Sequence, residues 1–177
     1  MRLCFSIALI LLLVACASAP PQRERNAAAR PASEPAPLAQ VGTAQLAIAN
    51  LAAASGTLVS GRVELRPAAG GVRITGVVGG LNRNGAHGLQ VHARGDCSAV
   101  DASSAGPYFD AGGHGADSGG RIVANAEGVA NVDLLVPDAV LGGGARNDID
   151  GRALVVLGAT RGATSARVAC GVIAAQP

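Results

Sequence analysis

Polar and apolar residues alternate one by one along much of this chain, and glycine or asparagine clusters interrupt the alternation. In Val59-Ser60-Gly61-Arg62-Val63-Glu64-Leu65-Arg66 the apolar side chains fall on one face and the polar ones on the other. Val72-Arg73-Ile74-Thr75 and Ala130-Asn131-Val132-Asp133-Leu134 repeat the pattern. A period of two belongs to a strand with one buried face, because successive side chains leave a pleated strand on opposite sides. Leu154-Val155-Val156-Leu157 is apolar throughout, as expected of a strand covered on both faces. Gly70-Gly71, Gly79-Gly80, Asn82 to Gly85 and Gly142 to Gly144 supply turns between the runs. From about Gly42 onward no helical period is visible. Short strands at regular spacing predict an all-β antiparallel barrel or sandwich.

Composition narrows the class. The chain has 177 residues, enough for one domain with appendages. With 49% hydrophobic and 15% charged residues, a disordered body is excluded. A net charge of +2, carried by Arg without any Lys run, gives no footprint for nucleic acid. Beyond residue 42 the only aromatics are Tyr108 and Phe109, so the core must be assembled from Val, Leu, Ile and Ala.

The first residues read as a targeting segment. Arg2 precedes an apolar run from Leu3 to Ala15, shorter than the ~20 residues a membrane-spanning helix needs. The run ends in Leu13-Val14-Ala15-Cys16, which resembles the bacterial lipobox, whose cysteine is acylated. Cleavage after Ala17-Ser18-Ala19 is the alternative. Residues 1–15 are thus expected to be a signal peptide and Cys16 a lipidation site. Residues 16–41 are expected to be a disordered tether, since Pro20, Pro21, Pro31, Pro35 and Pro37 favour extended chain. Ala17 after the cysteine resembles the pattern sent to the outer membrane. The expected location is therefore exported and periplasm-facing, with the membrane reached through the lipid.

Four cysteines are present. Cys4 would leave with the signal peptide and Cys16 would carry lipid. Cys97 and Cys170 remain as an even pair in an exported domain, for which a disulfide is the default and a metal site the alternative.

Three ordered segments carry a family resemblance: His87-Gly88-Leu89-Gln90-Val91-His92, continuing to Cys97; Ser104-Ala105-Gly106-Pro107-Tyr108-Phe109-Asp110; and Ala166-Arg167-Val168-Ala169-Cys170-Gly171-Val172-Ile173. Residues 42–177 are identified on them as a domain resembling the copper/zinc superoxide dismutases, closest to the bacterial periplasmic branch. The resemblance implies an eight-stranded Greek-key barrel, and Cys97 and Cys170 stand where the family has its intrasubunit disulfide.

The resemblance also implies a chemistry, and the residues depart from it. Family members cycle one copper held by four His, one of which bridges to zinc. The corresponding positions here are Gln90, His92, Tyr108 and Leu157, so three copper-ligand positions are lost: Gln90, Tyr108 and Leu157. A neutral amide is a poor copper donor, and a phenol with an ordinary pKa near 10 binds only as phenolate. His114 and Asp117 have the spacing of the last zinc His and the zinc Asp. Together with Tyr108 and His92 they leave at most a partial zinc or copper site, short of the four-coordinate norm; the alternative is ordinary polar loop residues. His87 matches a structural His. Arg167 matches the active-site Arg that guides the anion, and it is equally suited to holding loop carbonyls. The long charged steering loop is reduced to Gly158–Ala166, with Arg161 its only charge.

Three functions follow as expectations. The first is a non-catalytic scaffold or binding lipoprotein without normal dismutase activity. The second is a superoxide dismutase with a rearranged site. The third is a metal-binding protein without turnover. A barrel of this kind can form a homodimer, and the sequence names no protein partner.

Overall fold

A computed structural model of the chain describes residues 37–115, 120–159 and 166–177. The expected signal peptide, Cys16 and the tether as far as residue 36 lie outside these residues, as do Asp117 and Arg161.

Eight strands follow in order: β1 Ala47–Ala53, β2 Ser60–Ala68, β3 Gly71–Gly79, β4 Ala86–His92, β5 Gly120–Val123, β6 Ala130–Pro137, β7 Ala153–Leu157 and β8 Arg167–Ala175. The only helical element among the described residues is a single 3₁₀ turn, Ser103–Ala105. Every ladder is antiparallel, and the strands are ordered β5-β4-β7-β8-β1-β2-β3-β6. The non-sequential neighbours β3–β6 and β4–β7 are the long returns of a Greek key. The outer strands β5 and β6 come close to closing the barrel. A Cβ on Gly120 would stand 2.3 Å from Leu134 Cδ1. The expected all-β Greek-key barrel is what the chain forms.

Alternation decides what enters the barrel. Val63 and Leu65 of β2, Val72, Ile74 and Val78 of β3, Leu154 and Val156 of β7 and Ile173 of β8 are fully or almost fully buried in one core. Their alternate neighbours face out. Arg62, Glu64, Arg66 and Arg73 lie on the exterior, with Arg73 paired to Asp133 across the β3–β6 ladder at 2.6 Å. Such exposed pairs contribute little. The interior is aliphatic, and Phe109 packs against it from the edge.

Two features outside the strands fix the loops. Buried Asn147 clamps Ala39, accepting from its N–H at 3.0 Å and donating Nδ2 to its carbonyl at 2.8 Å. Arg152 stacks over the Phe109 ring, 3.5 Å from its centroid, and donates to the carbonyls of Asp148 and Ala93.

β7 explains its unbroken apolar sequence. Leu154 and Val156 face the barrel core, whereas Ala153, Val155 and the partly buried Leu157 belong to a second, smaller cluster on the outside of the sheet. That second cluster is where the family resemblance places its chemistry.

Candidate functional site on the outer face of β4, β7 and β8

The ladders set a grid on this face. Gln90 of β4 lies opposite Val155 of β7, and Val155 opposite Cys170 of β8. His92 lies opposite Ala153, and Ala153 opposite Val172. Leu157 lies opposite Arg167. Directly opposed residues in a ladder share a side of the sheet. Beyond β4 the chain returns antiparallel to it, and an isolated bridge pairs His92 with Tyr108. Phe109 N–H donates to Val91 at 2.8 Å and Ala93 N–H to Pro107 at 2.9 Å, which fixes that register. Gln90, His92, Tyr108 and Leu157 are therefore brought to one face; spacing in sequence implied this for Gln90 and His92, and the family resemblance for Tyr108 and Leu157.

The side chains there are mostly not metal donors. Leu157 lies over Gly88: a Cβ on that glycine would stand 3.0 Å from Leu157 Cδ1. Leu157, partly buried, packs against a small cluster of Ala54, Ala102, Ala105, Ala153, Val155 and Cys170. His92 is only 4% exposed. Its Nδ1 lies 2.9 Å from the carbonyl of Gly106. A carbonyl can only accept, so Nδ1 carries the proton and Nε2 keeps a lone pair. That Nε2 is buried without a hydrogen-bond partner among the described residues. Burial pushes the His92 pKa below the ordinary imidazole value; the Gly106 carbonyl opposes this, and the Arg167 charge adds to the lowering. These surroundings favour the uncharged form of the ring.

Arg167 is committed to the backbone. Its Nη1 donates to Ala102 O and its Nη2 to Gly106 O, each at 2.7 Å. Of its two sequence roles, holding loop carbonyls is the one these bonds display. Cys97 and Cys170 are joined in a disulfide across 73 residues, so the same loop is tied to β8. His87 faces the other side of β4, is 2% exposed and sets Nδ1 3.0 Å from the carbonyl of Leu157.

His114 is held elsewhere. Its Nε2 lies 2.5 Å from Asp138 Oδ2, at the end of β6, and both side chains are about half exposed. Asp110 gathers the loop below it. Burial of its carboxylate is outweighed by the amides of Gly115, His114, Gly113 and Gly112, which hold its pKa below the usual carboxylate range. The Asp138 partnership escapes sequence reading because the two residues are 24 apart and share no motif.

The donor set was tested against a copper centre on its chemistry. Copper in a tetragonal site takes several nitrogen donors. This face supplies one imidazole lone pair, an amide, a phenol and a leucine. Among the described residues no group of three or more His, Cys, Asp or Glu side chains could hold a metal ion. The residues present do not fit the family's copper.

Comparison with known proteins agrees with the fold and the motifs. The family model for copper/zinc superoxide dismutase matches residues 59–173, more than half of the chain. A protein of Mesembryanthemum crystallinum named superoxide dismutase [Cu-Zn] 2 is 35% identical over 128 residues, covering 59% of this chain and 76% of its own length. A Brassica juncea protein of the same name is 35% identical over 130 residues, covering 60% and 83%. With the barrel topology, the disulfide and the three ordered motifs, these matches make the chain a member of the copper/zinc superoxide dismutase family.

Proposed function

We propose that this chain is an exported, membrane-tethered family member that does not turn over superoxide at a copper centre and serves as a non-catalytic scaffold or binding protein. The observation that carries the reading is the outer face of β4, β7 and β8. There Leu157, Val155 and Ala153 fill the positions beside a single imidazole. Redox cycling needs an ion held in both oxidation states, and one nitrogen does not provide that. The short connection from Leu157 to Arg167 adds support, because few charges remain there to focus an anion. Export and lipid attachment rest on the Leu3–Ala15 run and Cys16.

A dismutase assay on the full-length chain, purified and then loaded with copper and zinc, tests the reading. The expected rate equals that of a protein-free control carrying the same metals. Turnover above that control which disappears in His92→Ala would favour a dismutase with a rearranged site instead.

A further inference from the structure

We propose that Asn84-Gly85, in the turn between β3 and β4, is a self-modification site: the Gly85 amide attacks the Asn84 side chain, expels ammonia and leaves an isoaspartyl link in the backbone. The site stands whether or not the chain binds copper. Asn84 is the only asparagine in the chain that precedes a glycine. The backbone itself calls for the pair. Asn84 has φ 54°, a left-handed conformation that asparagine and glycine adopt more readily than other residues. A Cβ on Gly85 would stand 2.8 Å from Asn82 O and 3.0 Å from His87 Nε2, so only glycine fits there. Asn84 is exposed, and its side chain forms no hydrogen bond among the described residues.

The Gly85 N–H donates to Asn82 O at 2.9 Å, within a turn whose residues 82–84 are all exposed. When that bond opens, the nitrogen is free to meet Asn84 Cγ, and a five-membered ring closes with the advantage of an intramolecular reaction. The nitrogen gives its proton to water or hydroxide, the N–Cγ bond forms and the Cγ–Nδ2 bond breaks, releasing ammonia. Water then opens the ring. Cleavage at Cγ leaves an ordinary aspartyl residue. Cleavage at the Asn84 carbonyl carbon leaves isoaspartate, with one extra methylene in the main chain. That methylene falls between two fixtures. Asn84 N–H donates to Asn125 O at 3.0 Å, and Ala124 N–H donates to Gly85 O at 2.9 Å. Together they tie the turn to the connection after β5, and the lengthened link cannot satisfy both. Asp150-Gly151 is the internal comparison. Asp150 Oδ1 takes the Ala175 N–H at 2.8 Å, Gly151 N–H donates to Ile173 O at 2.9 Å, and a carboxylate is the poorer electrophile.

The test holds the full-length chain at physiological temperature in mildly alkaline buffer. Peptide mass mapping should show the side-chain amide of residue 84 converted to a carboxyl group, with ammonia released and part of the product labelled by an isoaspartyl methyltransferase. Asn84→Gln, whose longer side chain must close a six-membered ring, should react about tenfold more slowly. Asn84→Gly suits the left-handed backbone and should fold as wild type with no reaction at the turn. In the modified protein the Ala124 amide should exchange about tenfold faster than in fresh protein, relative to the amides of β2 and β3. A peptide of residues 80–88 that reacts to completion while residue 84 of the intact chain keeps its amide overturns the site, as does isoaspartate formed at Asp150 alone. Equal protection of Ala124 in fresh and modified protein overturns the effect on the turn.

Discussion

Leu157 covers Gly88 across the β4–β7 ladder, its Cδ1 3.0 Å from where a glycine Cβ would stand and its Cβ and Cγ at 3.3 Å. The two fit because one has no side chain. Gly88→Ala should therefore push Leu157 off its place and cost about 1 kcal/mol by overpacking. In a Leu157→Ala background the same change should cost nothing or recover stability. A double-mutant cycle by urea unfolding measures this coupling; additive effects would show that the residues do not meet.

The grip on the Gly106 carbonyl gives a second expectation. Arg167→Ala removes two charge-assisted bonds to loop carbonyls and should cost roughly 2 kcal/mol. Arg167→Lys should recover little of that, because an ammonium lacks the planar fork that reaches Ala102 and Gly106 together. Chemical denaturation of the three proteins checks the order wild type, Lys, Ala. A lysine variant as stable as wild type would argue against the two-carbonyl geometry.

Much of the fold was legible because alternation is a direct imprint of half-buried strands. β2, β3 and β6 follow from it, and the unbroken run of β7 records two covered faces. β1 and β5 carry weaker imprints. Alanine at four of seven positions in β1 offers little polar contrast, and β5 has four residues after a glycine-rich stretch. At the site, the spacing of Gln90 and His92 identified their shared face. The sequence placed Leu157 in a doubly covered strand and, through the resemblance, at a lost ligand position. Its packing on Gly88 depends on a ladder between residues 69 positions apart, and no local pattern encodes that. The same distance in sequence hid the Asp138 partner of His114 and the Asn147 clamp on Ala39.

Stability should vary with pH through His92. Its folded pKa lies below the unfolded value of about 6.5, so the unfolded chain binds the proton more readily. Stability is therefore full above that value and declines as pH falls through it toward the folded pKa. Arg167 of β8 and Tyr108 of the covering loop are the charged and titratable groups beside the ring. Thermal midpoints between about pH 7.5 and 5.5 should fall with pH in wild type and fall less steeply in His92→Gln. Parallel curves for the two proteins would assign the pH dependence elsewhere.

The disulfide should matter strongly in a barrel with an aliphatic core. Joining Cys97 to Cys170 closes a loop of 73 residues, worth about 4 kcal/mol in the chain-entropy account. Replacing both cysteines by serine should reduce the unfolding free energy by roughly that amount, read from urea denaturation. A loss below about 1 kcal/mol would mean that the other fastenings of the loop suffice.

Copper stoichiometry tests the central claim most directly. The full-length chain would be dialysed against excess copper and zinc, passed over a desalting column and measured by elemental analysis. With a leucine and one imidazole where a redox metal would sit, the expected copper content is far below one ion per chain. A reproducible single copper per chain, retained through the column and lost in His92→Ala, would contradict the account.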